Sequence, residues 1–405
     1  MNDPANPLQG LLGDLMKMIG GSQRGESPWM DAARALAHSV ATDGEAEGNV
    51  DPLERIGLEA LTRAAEIHVT DITGLPTGPG GAPVRLVPTT RGAWALHMLD
   101  AWAPLLETIA AASGQGQSSA SGSTGNADEP AGAFGTSDHF EEGLGNLFAS
   151  FATTMGPVIV GMQFGSAIGH LARRSLGQYD IPVPATDHGE LFVLPDNIRQ
   201  FADDWTIPID QAQLWVCSHE LTSHAVLSSP RVADVVGGLL GGIADESADI
   251  QQSLIERLTG EAGDIGSLQN LASDPESLMA DLVSPGQRRT SAELIAVTTA
   301  IGGYVDHVTT RVVEALTGSP AILAEAWYRY RTTESTEMKA AGSVFGLDLS
   351  RDQVDRGSAF VRGVLERAGE SGLARLWSKP GNLPTPPEVD APGLWLERID
   401  LPPDT

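Results

Sequence analysis

The sequence predicts a mainly α-helical protein with few short strands, on three observations. Apolar residues recur at three- and four-residue spacing over long stretches, the period of a helix with one buried face. Aromatics make up only 5% of the chain while Gly numbers 46 and Pro 26, which disfavours a sandwich or barrel of aromatic and β-branched strands. Runs rich in Ala, Leu and Glu favour helices. With 405 residues and 41% apolar content, the chain can bury a sizeable core spread over two or three domains.

The N-terminal region, residues 1–112, reads as helical. PWMDAARALAHSVA begins at a proline and carries helical periodicity, and a second helix is expected from Pro52 to Thr70. RGAWALHMLDAWAPLLETIAAA places Trp94, Met98, Trp102 and Leu105 on one face. Residues 113–137 (SGQGQSSASGSTGNADEPAGAFGTS) hold almost nothing to bury and read as a flexible Gly/Ser linker.

The remaining region, 138–405, regains apolar content. Gly143 to Gly169 carries no formal charge and includes Gly161, Gly165 and Gly169 at four-residue spacing. Pro157, Gln163 and several Ser and Thr argue against a membrane span there, and a buried helix packed closely through its glycines is expected. YDIPVPATDHGELFVLPDNI offers one or two short strands. Asp210 with Gln213 resembles a capping box opening a helix with Leu214, Cys217, Leu221 and Ala225 on one face. Thr290 with Glu293 resembles a second, ahead of Leu294, Val297, Ile301, Val305, Val308 and Val312. The closing KPGNLPTPPEVDAPGLW is so Pro-rich that an extended strap is expected.

Composition excludes several functions. A net charge of -28, from 53 acidic and 25 basic residues, repels a phosphate backbone or an anionic bilayer, so no nucleic-acid partner is expected. The single cysteine, Cys217, rules out an intrachain disulfide or a Cys-rich zinc site and suits a reducing, cytoplasmic setting. It reads as a structural thiol. The opening MNDPANPLQG has no secretory pattern. Phosphate-binding glycine motifs are missing, and Asp138-His139 and Asp187-His188 have no Gly-x-Ser-x-Gly beside them, which leaves them as solvated loop residues.

The chemistry-bearing stretch is WVCSHELTSHAV, residues 215–226. A His-Glu-x-x-His helix grips zinc because histidines at i and i+4 share a face, while the glutamate activates the bound water. Here His219 and Glu220 are followed by Leu221, Thr222, Ser223 and then His224. Five residues apart, the two histidines diverge by about 140° around a regular helix. Only a rare π-bulge would bring both to one metal. Without it, each histidine reads as hydrogen-bonded within a helical core.

Much of the chain resembles the zincin-like metallopeptidase family, and in family order. PWMDAARALAHSVA, ALTRAAEIHVTDITGLP, RGAWALHMLDAW, GMQFGSAIGHLARRSLGQYDIPVP, LFVLPDNIRQFADDWTIPIDQAQLWV, GLDLSRDQVDRGSAFVRGV and LARLWSKPGNLPTPPEVDAPGLW carry the likeness. The resemblance implies a zincin-like helical domain over 138–405, with His219 as first zinc ligand and Glu220 as general base. It also implies a second histidine where this chain has Ser223, and a glutamate from a later helix where IGGYVDHV supplies Gly302. Two of three expected protein ligands are thus replaced. His224, Asp306, His307 or Glu246 are the residues from which a set around His219 would have to be rebuilt.

Two functional readings follow. The first is a zinc-dependent peptide hydrolase homologue with an impaired or lost zinc site, its ancestral reaction using a zinc-bound water deprotonated by Glu220. The second is a non-catalytic pseudoprotease that holds a peptide or protein in the ancestral cleft. Zinc is the implied cofactor, and the ligand count argues for its absence, since a catalytic zinc normally takes three protein ligands.

Overall fold

A computed structural model describes residues 28–118, 158–185, 189–260, 284–379 and 381–401, with backbone alone at 28, 111–118 and 246–260. Most of the chain is helical. In order come α1 (Pro28–Thr42), α2 (Pro52–Thr73), β1 (Arg85–Pro88), α3 (Arg91–Ala101), α4 (Ala103–Ser118), α5 (158–174) and β2 (Glu190–Val193). There follow α6 (Pro195–Asp204), α7 (Ile209–Leu227), α8 (Pro230–Gly260), α9 (Pro285–Thr317), α10 (Ala321–Thr332), α11 (Thr336–Phe345), α12 (Arg351–Leu373), α13 (Pro386–Asp390) and α14 (Pro392–Asp400).

The Gly-spaced helix packs as its spacing predicts. A Cβ at Gly161, Gly165 or Gly169 would lie 2.0, 2.4 or 2.7 Å from Trp29, Ala33 or Val40 of α1, so only glycine lets the two backbones approach. The residues of that window before 158 lie outside the described ones, as do 119–137 of the expected linker, Asp138-His139 and Asp187-His188.

The only sheet among the described residues is a parallel pair, Arg85 opposite Glu190 through Pro88 opposite Val193. Its first strand, RLVP, is too short for a visible alternation and was not expected; the second falls within the Pro-punctuated stretch. The sheet anchors the loop that follows α5. Gly177 forms an isolated antiparallel bridge with Val193, and Leu194 N–H donates to the Leu176 carbonyl at 3.0 Å.

Three local expectations are corrected. RGAWALHMLDAWAPLLETIAAA is two helices broken at Trp102, because Pro104 has no N–H for the carbonyl four residues back. Helix α7 is capped by Pro208 with no side-chain cap, leaving Asp210 in the first turn, and α9 begins at Pro285 behind Ser284, whose hydroxyl accepts from Gln287 N–H at 2.9 Å. Neither expected capping box therefore opens its helix. The Pro-rich C-terminus is not an extended strap: Pro386 and Pro392 occupy first turns, where a missing N–H costs nothing, and start α13 and α14. Trp395 of α14 is fully buried edge-on to Phe360 of α12, fastening this end to the body.

Helix α7 lies at the centre, packed against α2, α6 and α9, while α12 packs on α9. No single described helix is long and apolar enough to cross a membrane; the pair α7 and α8 reaches that length and composition only together, across an 81° bend.

Candidate functional site

Every residue of α7 from Leu214 to Leu227 is buried. A helix buried all round must satisfy its polar groups inside the protein. Ser218 and Thr222 do so locally, each hydroxyl donating to the carbonyl four residues back at 2.7 Å. His219 and Ser223 share one face of the helix, while Glu220 and His224 meet other neighbours.

Glu220 faces the loop after α5. One carboxylate oxygen, Oε2, accepts from the backbone N–H groups of Gln178 and Tyr179, both at 2.8 Å, and the other lies 3.4 Å from His219 Nδ1. Burial pushes the Glu220 carboxyl above its ordinary range, opposed by its hydrogen bond to His219 and that imidazole's charge. Gly177 is required here, because a Cβ would sit 2.3 Å from Glu220 Cδ.

His224 is fully buried on another side. Its Nδ1 lies 2.9 Å from the Tyr179 hydroxyl, which also receives Gln178 Nε2 at 3.3 Å, while Gln178 Oε1 accepts from Phe192 N–H in β2 at 3.2 Å. His224 thus belongs to a chain of bonds tying α7 to the loop and the sheet. Cys217 is also fully buried, and burial pushes its thiol up to about 12 against the opposing bond from Thr62.

His219 borders a narrow cleft of about 70 Å³ that is also lined by Ser223, Asp180, Arg174, Gly302 and Arg331. Its ring centroid is 4.6 Å from that of Trp327 in α10. Asp180 Oδ2 accepts from Leu176 and Gly177 N–H at 2.6 and 3.2 Å. Burial raises its carboxyl too, opposed by the Gly177 amide and by His219. The three positions to which the resemblance assigns ligands, His219, Ser223 and Gly302, therefore converge on one cleft, while Glu220 and His224 lie behind its wall.

The adjacent glycines of α9 have separate causes. A Cβ at Gly303 would strike the Gly357 carbonyl oxygen of α12 at 2.3 Å, whereas one at Gly302 would meet only Arg331 Nη2 at 3.4 Å. Arg331 Nη1 donates to both oxygens of Asp306 at 2.7 Å, and Trp327 Nε1 donates to Asp306 Oδ1 at 3.1 Å. His307 Nε2 lies 3.1 Å from Glu370 Oε1. Asp306 and His307 line a neighbouring pocket rather than the His219 cleft. The Glu246 side chain lies outside the described residues. Among the described residues, no three His, Cys, Asp or Glu side chains are grouped to hold a metal.

Residues 29–396 match the zincin-like metallopeptidase family. The chain belongs to that family. A solved structure from Chloroflexus aurantiacus, described as a provisionally assigned hydrolase with a novel fold, covers 92% of this chain and 99% of its own. It shares 21% identity at a TM-score of 0.61, a likeness of fold. No curated protein matches. In this zincin-like chain, sequence reasoning missed Asp180, Arg174, Trp327 and Arg331, which reach the cleft from loops and helices distant in sequence and share no motif spacing with His219.

Proposed function

We propose that this zincin-like chain is a non-catalytic relative of the peptidases, keeping the ancestral cleft as a binding site for a peptide or protein segment. The observation that carries this is the convergence of His219, Ser223 and Gly302 on one cleft. The resemblance assigns three zinc ligands to these positions, yet serine and glycine stand at two of them, and one histidine holds zinc too weakly to keep it. The donors available from other positions do not fill the gap. His224 is committed to Tyr179, Asp306 to Arg331 and His307 to Glu370. Glu220, the general base of the family pattern, is occupied as an acceptor for two backbone amides. A single, buried cysteine suits a cytoplasmic setting for this role.

Metal analysis of protein purified without an immobilised-metal column tests the reading. The expected result is a folded chain with no stoichiometric zinc. One zinc per chain, lost on His219→Ala, would overturn it in favour of a metallopeptidase.

A further inference from the structure

Arg331 presents a donor edge to the cleft that no described residue uses. Both of its ion-pair bonds to Asp306 leave from Nη1. Nη2 is the atom that faces the open side of Gly302, 3.4 Å from where a Cβ would stand. A guanidinium a quarter exposed, with one nitrogen clamped and the other turned to a void, is oriented in advance for a second oxyanion.

Arg174 lines the same cleft. Its Nη2 donates to the Tyr330 carbonyl and its guanidinium sits 4.7 Å from the Tyr330 ring centroid, and it makes no ion pair among the described residues. The two acids of the lining are already engaged. Asp180 accepts from two backbone amides, and Asp348 accepts from Ser350 N–H at 2.9 Å and Gln353 Nε2 at 3.0 Å. Among the described residues, the cleft thus offers two cationic donor edges without a carboxylate in ion-pair contact, Arg331 Nη2 and the Arg174 guanidinium, beside the hydrogen-bonded Asp180 and Asp348.

We infer that the notch between Gly302 and Arg331 binds a carboxylate of the ligand, the terminal carboxylate of a peptide in the cleft, with Arg174 supplying the second cation. Glycine at 302 creates the space and Arg331 Nη2 supplies the partner. Trp327, whose ring lies 5.9 Å from the Arg331 guanidinium carbon, forms the adjoining wall. This assignment rests on the reading of the cleft as a peptide site, and metal content reports on that reading separately.

The experiment is calorimetric titration of the full chain with N-acetyl-tetra-alanine bearing a free terminal carboxylate, with its C-terminal amide, with acetate and with inorganic phosphate. The free-carboxylate peptide is expected to bind about tenfold or more tightly than the amide, as loss of a charge-assisted pair implies, with acetate competing. Gly302→Glu, which fills the notch with its own carboxylate, is expected to abolish that preference, as is Arg331→Gln. Arg362→Gln, in the neighbouring pocket, is expected to leave it unchanged. Equal affinity for acid and amide, no binding of either into the millimolar range, a preference for phosphate, or a preference that survives Gly302→Glu would each overturn the assignment. If zinc is also found, the peptide-scaffold reading falls with it; if the chain is zinc-free, the carboxylate site alone is wrong.

Discussion

Glu220 clamps the backbone of Tyr179: its Oε2 takes the Tyr179 N–H at 2.8 Å and the Gln178 N–H at the same distance. Both residues are buried, and this one oxygen accepts from both amides. Glu220→Ala removes the acceptor of two N–H groups at about 1–3 kcal/mol each, giving an expected loss of about 2–6 kcal/mol in urea unfolding. Glu220→Gln keeps an acceptor oxygen and removes a charge that burial disfavours, so it is expected to stay within about 1 kcal/mol of the parent. An alanine variant as stable as the parent would show that the clamp does not hold the loop.

Gly302 and Gly303 are neighbours with opposite expected tolerance. Gly303→Ala forces a Cβ into the Gly357 carbonyl oxygen at 2.3 Å, and separating α9 from α12 is expected to cost about 1–3 kcal/mol or more. Gly302→Ala meets only the end of Arg331 and gains about 1 kcal/mol of helix propensity. Thermal melts of the two variants are expected to move in opposite directions.

This pair also shows what was legible in the sequence. Two adjacent glycines inside a helical pattern point to close packing or a kink, and the structure shows close packing at Gly303 while Gly302 borders the cleft. The Gly161, Gly165, Gly169 ladder was readable for the same reason, since a repeat of four marks one helix face. The prolines of the C-terminus misled because proline breaks a helix interior but suits its first turn, and which applies depends on where the preceding element ends. The family frame around His219 was legible as a motif. The partners of Glu220 were not, because backbone amides carry no residue signature.

Because His219, Ser223 and Gly302 share a cleft, two substitutions place at these positions the ligand set that the family resemblance assigns to them. Ser223→His combined with Gly302→Glu is expected to bind one zinc per chain, measured by elemental analysis after dialysis, and to lose it on adding His219→Ala. Each single substitution is expected to remain metal-free. Failure of the double variant to bind zinc while still folded would show that the cleft no longer has the spacing of a metal site.

Cys217 is fully buried, and its thiol is held up to about 12 by burial. The thiolate is the reactive form, so native protein at neutral pH is expected to resist 5,5′-dithiobis(2-nitrobenzoate), and one thiol per chain is expected to react in denaturant. Rapid labelling of the folded protein would contradict the buried placement.

Glu388 and Arg398 brace the last two helices. Arg398 reaches both carboxylate oxygens, and Thr385 N–H donates to Oε2 at 2.8 Å. Burial, the largest single influence, works to raise the carboxyl, but the Arg398 hydrogen bonds and charge together with the Thr385 amide outweigh it and hold Glu388 below its ordinary 4.5. A carboxyl depressed in the folded state contributes stability that is fully present above its unfolded value and is lost as pH falls through the folded one. Glu388→Gln is therefore expected to be less stable than the parent at neutral pH, with a gap that holds down to about the ordinary carboxylate range and closes below it. Urea unfolding of both proteins across that range measures the gap. A difference that stays constant into acid would mean that Glu388 acts through packing or hydrogen-bond geometry that glutamine does not reproduce, rather than through its charge.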